Sequence, residues 1–143
     1  MKLNGTHKFK ANSTRVFNAI LDPATLQKCI PGCESVSVLD ATRLQVNVTV
    51  PLPGLKGAYA VVVNLLQRQD PHLIVLGVKR QGRGGSVDAV ANITIADEAD
   101  GSLVTYDANA ELSGAIAVAG TVGKPFVNNA LNSVFENLDK TLS

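Results

Sequence analysis

The sequence predicts an α+β fold in which a seven-stranded antiparallel sheet curls around one long C-terminal helix, with two short helices near the start. Three observations carry that expectation. Most of the chain falls into short segments of alternating apolar and polar residues separated by turn residues, the period-2 signature of half-buried strands. The final stretch, from Gly114 to Leu142, instead carries apolar residues at three- and four-residue steps, the period of a helix. At 143 residues with 45% hydrophobic content, the chain makes a single domain, residues 1–143, with enough apolar material for a real core.

The elements follow in order. Lys2 to Lys10 alternates Leu3, Gly5, His7 and Phe9 against Asn4, Thr6, Lys8 and Lys10, a half-buried strand. Asn12 or Ser13 offers an N-cap oxygen to a short helix with a stripe of Val16, Phe17, Ile20 and Leu21. Asp22-Pro23 supplies a cap and a first-turn proline to a second helix, with Leu26, Cys29 and Ile30 on its apolar side, and Pro31-Gly32 ends it. Strand-like segments then run over Glu34–Leu39, Thr42–Val50, Gly57–Gln69, Leu73–Lys79, Ser86–Ala96 and Leu103–Leu112. Pro51-Leu52-Pro53-Gly54 reads as a rigid break and Gln81-Gly82-Arg83-Gly84-Gly85 as a flexible corner.

Strands joined mainly by hairpins give an antiparallel meander with one face to cover, and the long helix is the natural cover. Its expected buried stripe is Ala119, Val122, Phe126, Ala130, Val134 and Leu138. The strand phases turn Val48, Ala89, Ala91, Tyr106, Ala108 and Ala110 inward with His7 and Phe9. Small residues on the sheet face Ala119 and Gly123 on the helix, and there is no Trp to fill the gap. An apolar cavity of a few hundred Å³ is therefore expected, lined by His7, Phe9, Val48, Ala89, Ala91, Tyr106, Ala108, Ala110, Ala119, Val122, Gly123 and Phe126.

Composition argues against several functions. Thirteen basic and twelve acidic residues are scattered without a basic stripe, so no nucleic-acid partner is expected. No apolar run reaches the ~20 residues of a membrane span, and MKLNGTHKFK lacks a signal-peptide core, so a cytoplasmic protein is expected. Cys29 and Cys33 have only His7 and His72 as further soft ligands, which does not make a metal site; Cys29 reads as core and Cys33 as part of the corner. Asp88, Asp107 and Glu111 alternate with inward residues and so point outward, leaving no catalytic carboxylate pair, and neither histidine has an evident triad partner. His7, on an inward face, either hydrogen-bonds a ligand head group or is satisfied by a backbone carbonyl or water.

This order of elements resembles the helix-grip fold of the START-like, or Bet v 1-like (SRPBCC), superfamily. Asp22-Pro23, Leu26 and Cys29-Ile30-Pro31-Gly32-Cys33-Glu34 together resemble the DP..L..CIPGCE signature of the carbon monoxide dehydrogenase G-subunit family. Leu55-Lys56-Gly57, Gly82-Arg83-Gly84-Gly85-Ser86 and Leu112-Ser113-Gly114-Ala115-Ile116-Ala117 fall where that family has its own glycine-containing elements. The resemblance implies a non-catalytic accessory protein that matures, recruits or serves a molybdenum-containing carbon monoxide dehydrogenase or related hydroxylase. The partner-binding corner is expected at Cys29, Ile30, Pro31, Gly32, Cys33 and Glu34. Many members continue into a hydrophobic anchoring tail, whereas this sequence ends at Ser143, so peripheral membrane association at most is expected. No cofactor is expected beyond a bound lipid or quinone. The alternatives are a pure interaction module with a filled core, and a small cyclase or hydrolase using His7, Tyr106 and Tyr59.

Overall fold

The computed structural model describes residues 1–51 and 56–143, apart from the side chains of residues 118–123. Strand β1 (Lys2–Phe9) is followed by helices α1 (Ser13–Ile20) and α2 (Pro23–Cys29). Six strands come next: β2 (Cys33–Val38), β3 (Arg43–Val50), β4 (Gly57–Gln69), β5 (Leu73–Gly82), β6 (Gly85–Glu98) and β7 (Gly101–Ser113). Helix α3 (Ala115–Leu142) ends the chain. The sheet is antiparallel in the order β1-β7-β6-β5-β4-β3-β2, so the first strand returns to pair with the last and only β1 and β2 are edges.

Both short helices start as the local chemistry dictates. Asn12 caps α1 by accepting from the Arg15 N–H at 3.0 Å, and Asp22 caps α2 by accepting from Thr25 N–H at 3.1 Å, with Pro23 in the first turn. The strands run further than alternation alone suggests. β5 continues through Arg80 to Gly82 and β6 begins at Gly85, which leaves Arg83-Gly84 as a tight two-residue hairpin loop rather than a flexible corner. Cross-strand hydrogen bonds, not side-chain pattern, set those ends. The expected break at Pro51-Leu52-Pro53-Gly54 lies largely outside the described residues, as does Leu55.

The core sits at one end of the curled sheet. Phe9, Val16, Phe17, Ile74, Ile95, Val104, Cys29 and Leu138 are sealed from solvent where α1, α2 and the C-terminal half of α3 converge on the inner face. The helix stripe differs from the expected one. Phe135 and Leu138 are its buried residues, with Leu131, Val134 and Leu142 packed beside them, while Phe126 and Ala130 are only half-buried and outside this cluster. The reason is rotational. Ala130 and Phe126 follow the four-residue step back from Val134 and Leu138, but the ring-filled space beside β1 and β7 selects Phe135, one residue round the helix. Ala119, Val122 and Gly123 fall on side chains outside the described residues.

Both halves of α3 are tied down by polar contacts. Asn137 Nδ2 donates to the Cys29 carbonyl at 3.0 Å, and Lys10 N–H donates to Asp139 Oδ1 at 3.2 Å. At the other end Ile116 N–H donates to the Gly84 carbonyl at 3.0 Å. There the chains touch so closely that a Cβ on Gly85 would lie 1.8 Å from the Ser113 carbonyl oxygen, and one on Gly114, at φ 72°, would lie 2.7 Å from Gly85 Cα. Only glycine fits at either position.

Two tests follow. Phe135→Ala should cost about 3–5 kcal/mol in chemical unfolding, since it empties a ring-lined site that cannot collapse; Phe126→Ala should cost clearly less. On the surface, Asp97 accepts from Ser13 N–H (3.4 Å) and pairs with His72 Nε2 (3.1 Å), which holds its carboxyl below the usual range. A depressed native carboxyl stabilises above its unfolded pKa of ~3.9, and that contribution is lost as pH falls through the native value. Asp97→Asn should therefore flatten the acid limb of the stability-versus-pH curve below about pH 4, read by thermal melts.

Candidate functional site

The inner face of the sheet can be read as rows, because register aligns inward residues across β5, β6, β7 and β1. One row is Ile74, Ile93, Tyr106 and Gly5; the next is Leu76, Ala91, Ala108 and Leu3. Beyond it stand Val78, Ala89 and Ala110, and then Arg80, Val87 and Leu112. The four alanines anticipated as inward therefore form two adjacent cross-strand pairs, Ala91–Ala108 and Ala89–Ala110. On the far side of the sheet Val48 pairs with Tyr59, both half-buried and on the same inner face as buried Val46.

Burial declines unevenly along these rows. Ile74, Ile93 and Tyr106 are buried, and so are Leu3 and Ala110 beyond them, whereas Leu76, Val78, Ala89, Ala91, Ala108, Val87 and Leu112 are half-buried, although all are apolar and on the inner face. The sealed end is closed by rings. Phe135 stacks on Tyr106 (centroids 5.2 Å apart) and on His7 (5.9 Å), and Phe9 meets His7 edge-on at 5.0 Å. The Tyr106 ring lies over Gly5, where a Cβ would come within 2.9 Å of the phenol oxygen, so the missing side chain of Gly5 makes room for the ring.

His7 and Tyr106 bring the polar groups to this aromatic floor. Neither the imidazole nor the hydroxyl hydrogen-bonds to another described residue, and no fully buried polar side-chain atom among the described residues lacks a partner. Both polar ends therefore meet water-accessible space. The alternative in which a backbone carbonyl satisfies His7 is not what the structure holds. Burial pushes the Tyr106 phenol above its ordinary value, so it stands as a neutral donor at neutral pH.

Other expected residues are placed as follows. Cys29 is in the core, its sulfur 3.9 Å from Thr141 Oγ1, so the corner 29–34 presents Pro31, Gly32 and Glu34 outward while the Cys29 side chain is unavailable to a partner. Cys33 is half-buried, its thiol donating to the Ser35 carbonyl at 3.5 Å and pushed up in pKa by that burial. Thr49 N–H donates to Gly32 O at 2.9 Å and Thr49 Oγ1 to Glu34 at 2.8 Å, which fixes the corner against β3. Among the described residues, no group of three His, Cys, Asp or Glu side chains gathers as a metal site would need. Asp88 and Glu111 are register partners and exposed, as their phase predicts. A separate open depression of about 460 Å³ lies between α1, α2 and the end of α3, lined by Arg15, Asn18, Asp22 and Thr25.

Phe135 and Arg80 were not anticipated. Arg80 occupies the outermost inner row, its guanidinium 4.8 Å above the Tyr59 ring. Continuing the alternation Ile74, Leu76, Val78 by two residues would have found it.

A seven-stranded curled antiparallel sheet gripping a C-terminal helix is the helix-grip, Bet v 1-like architecture. Solved structures share it. A conserved protein from Geobacillus kaustophilus superposes with a TM-score of 0.91 at 23% identity, covering 99% of this chain and 95% of that one. CV1439 from Chromobacterium violaceum gives 0.78 at 16% identity over 99% and 96%, and Ara h 8.0201 gives 0.75 at 10% over 99% and 97%. At these identities the likeness speaks for the fold. No curated protein matches the sequence. A model of the carbon monoxide dehydrogenase G-subunit (CoxG) family matches residues 5–143, and the chain belongs to that family.

Gly5→Val tests the ring floor: its branched side chain would strike the Tyr106 hydroxyl, so it should lower the thermal midpoint and shift the tyrosine ring signals in NMR, whereas Gly5→Ser should do so less.

Proposed function

We propose that this protein is a non-catalytic accessory protein that binds a lipophilic molecule, a quinone or another isoprenoid, between the inner face of its sheet and α3. The observation that carries this reading is the graded burial of the inner face. Seven apolar residues from Leu76 to Leu112 are only half-buried around buried Leu3 and Ala110, while the far end is closed by Phe9, Tyr106 and Phe135. Apolar surface left wet on a concave face costs ~25 cal/mol per Å², and an apolar ligand recovers it. His7 and Tyr106 stand at the closed end with hydrogen-bonding capacity to spare, suited to water or to a polar group at the inner end of the ligand.

Membership of the CoxG family supports service to a molybdenum-containing carbon monoxide dehydrogenase or related hydroxylase, and the exposed Pro31, Gly32 and Glu34 are the surface proposed for that contact. Such an enzyme passes electrons on, for which a quinone is a suitable carrier. No described helix is long and apolar enough to cross a membrane; we place the protein in the cytoplasm, reaching membranes peripherally if at all.

Protein purified from its own host and analysed by native mass spectrometry should carry a co-purifying lipid or quinone. Ala108→Phe, which puts a ring over the Ala91–Ala108 pair, should abolish that adduct with the thermal midpoint little changed. Wild-type protein that arrives empty and takes up neither menaquinone nor the apolar dye Nile red would sink the reading.

A further inference from the structure

Arg80 is a full charge on an apolar face, and its surroundings do not neutralise it. Alternation places Ile74, Leu76, Val78 and Arg80 on the same side of β5, and register sets Arg80 opposite Val87, itself opposite Leu112. The carboxylates at this end lie on the other side of the sheet. Lys79, Asp88 and Glu111 form the outward row, so a basic residue meant for solubility already stands at position 79. Among the described residues Arg80 has no ion pair. Arg68 shows what a neutralised arginine looks like here: it stacks on Phe17 at 5.2 Å and is clamped by both oxygens of Asp70, at 2.8 and 2.5 Å.

What holds Arg80 is orientation rather than charge. Nη1 donates to the Gly85 carbonyl at 2.5 Å, Nη2 donates to the Arg83 carbonyl, and the plane rests on Tyr59. Two of five N–H donors are engaged, and backbone carbonyls offer only partial negative charge. A half-buried, pre-oriented guanidinium with spare donors suits a carboxylate or phosphate oxygen, which it can bind with charge-assisted hydrogen bonds. From Arg80 to the Tyr106 row is six residues of β5, or roughly 20 Å at the rise of a strand, all of it apolar on the inner face.

We propose that Arg80 is the head-group site of the ligand cavity, and that the ligand is an amphiphile with a carboxylate or phosphate head at Arg80 and an apolar chain running along the alanine pairs toward Tyr106. This rests on the reading of the inner face as a binding site, and it narrows the ligand to a charged class. A quinone carbonyl takes only a neutral-acceptor hydrogen bond from this guanidinium, whereas an anionic head group also neutralises its charge.

The test is displacement of Nile red, a neutral dye, by matched pairs with the same tail: farnesyl phosphate against farnesol, and dodecanoate against dodecanol. Wild-type protein should bind the anionic member of at least one pair about ten- to a hundredfold more tightly, and the two pairs tell phosphate from carboxylate. Arg80→Gln should erase that preference while leaving farnesol and dodecanol within about twofold. Arg80→Lys should keep part of it, and Arg83→Gln, a change of equal charge on the hairpin, should keep all of it. A wild type without preference, or a preference that survives in Arg80→Gln, overturns the head-group assignment while leaving the cavity standing. Failure of Nile red and all four ligands to bind overturns both. Circular dichroism melts show whether Arg80→Gln stays folded; if the loosened hairpin unfolds it, Arg80→Lys against Arg83→Gln decides the matter.

Discussion

Phe135 is the contact through which the C-terminal half of α3 grips the sheet, stacked on Tyr106 and His7 and close to Phe9. These residues come from the two strands at opposite ends of the chain, β1 and β7, which the fold pairs along their length. Removing Phe135 would empty that contact and leave Leu138 and the Lys10–Asp139 bond to hold the helix there. Gly5 belongs to the same arrangement, since only its bare Cα lets the Tyr106 ring lie flat enough for Phe135 to stack on it. With so few aromatic residues in the chain, gathering Phe9, Tyr106 and Phe135 with His7 at one end leaves little bulk for the other.

That asymmetry organises the molecule. α3 is anchored over its last turns by apolar packing and by Asn137 and Asp139, and at its start by the backbone contact between Ile116 and the Gly84–Gly85 hairpin. Pro125, which cannot donate a helical hydrogen bond, lies between the two anchors. Between the same anchors, the sheet presents alanine pairs and half-buried valines and leucines, with Ala110 buried among them. The ring-closed core and the alanine pairs thus occupy different ends of one curled sheet, and the hairpin that pins α3 is also the one that orients Arg80.

The family signature and the half-buried inner face lie on different parts of the molecule. The corner at residues 29–34 is fixed through Thr49 to β3 and buries its first cysteine against α3. The graded inner face belongs to β5, β6 and β7.

Much of this was legible in the residues. Alternation in β1, β6 and β7 marks inward Phe9, Tyr106, Ala89, Ala91, Ala108 and Ala110, because side chains on a strand alternate whatever the strand pairs with. Asn12, Asp22 and Pro23 mark the helix starts, because capping is settled within three residues. The element order follows from these local relations alone. Three matters needed the tertiary structure. Which stripe of α3 is buried depends on the space left by His7, Phe9 and Tyr106, more than a hundred residues away in the case of the first two, and that space selects Phe135. That β5 continues past Lys79 is decided by its pairing with β6, although the inward phase of position 80 already follows from the alternation Ile74, Leu76, Val78. That the polar ends of His7 and Tyr106 have no hydrogen-bond partner among the described residues depends on what surrounds them in space. Sequence determines which groups share a face; folding decides what that face meets, because contacts between distant segments are set by packing rather than by period.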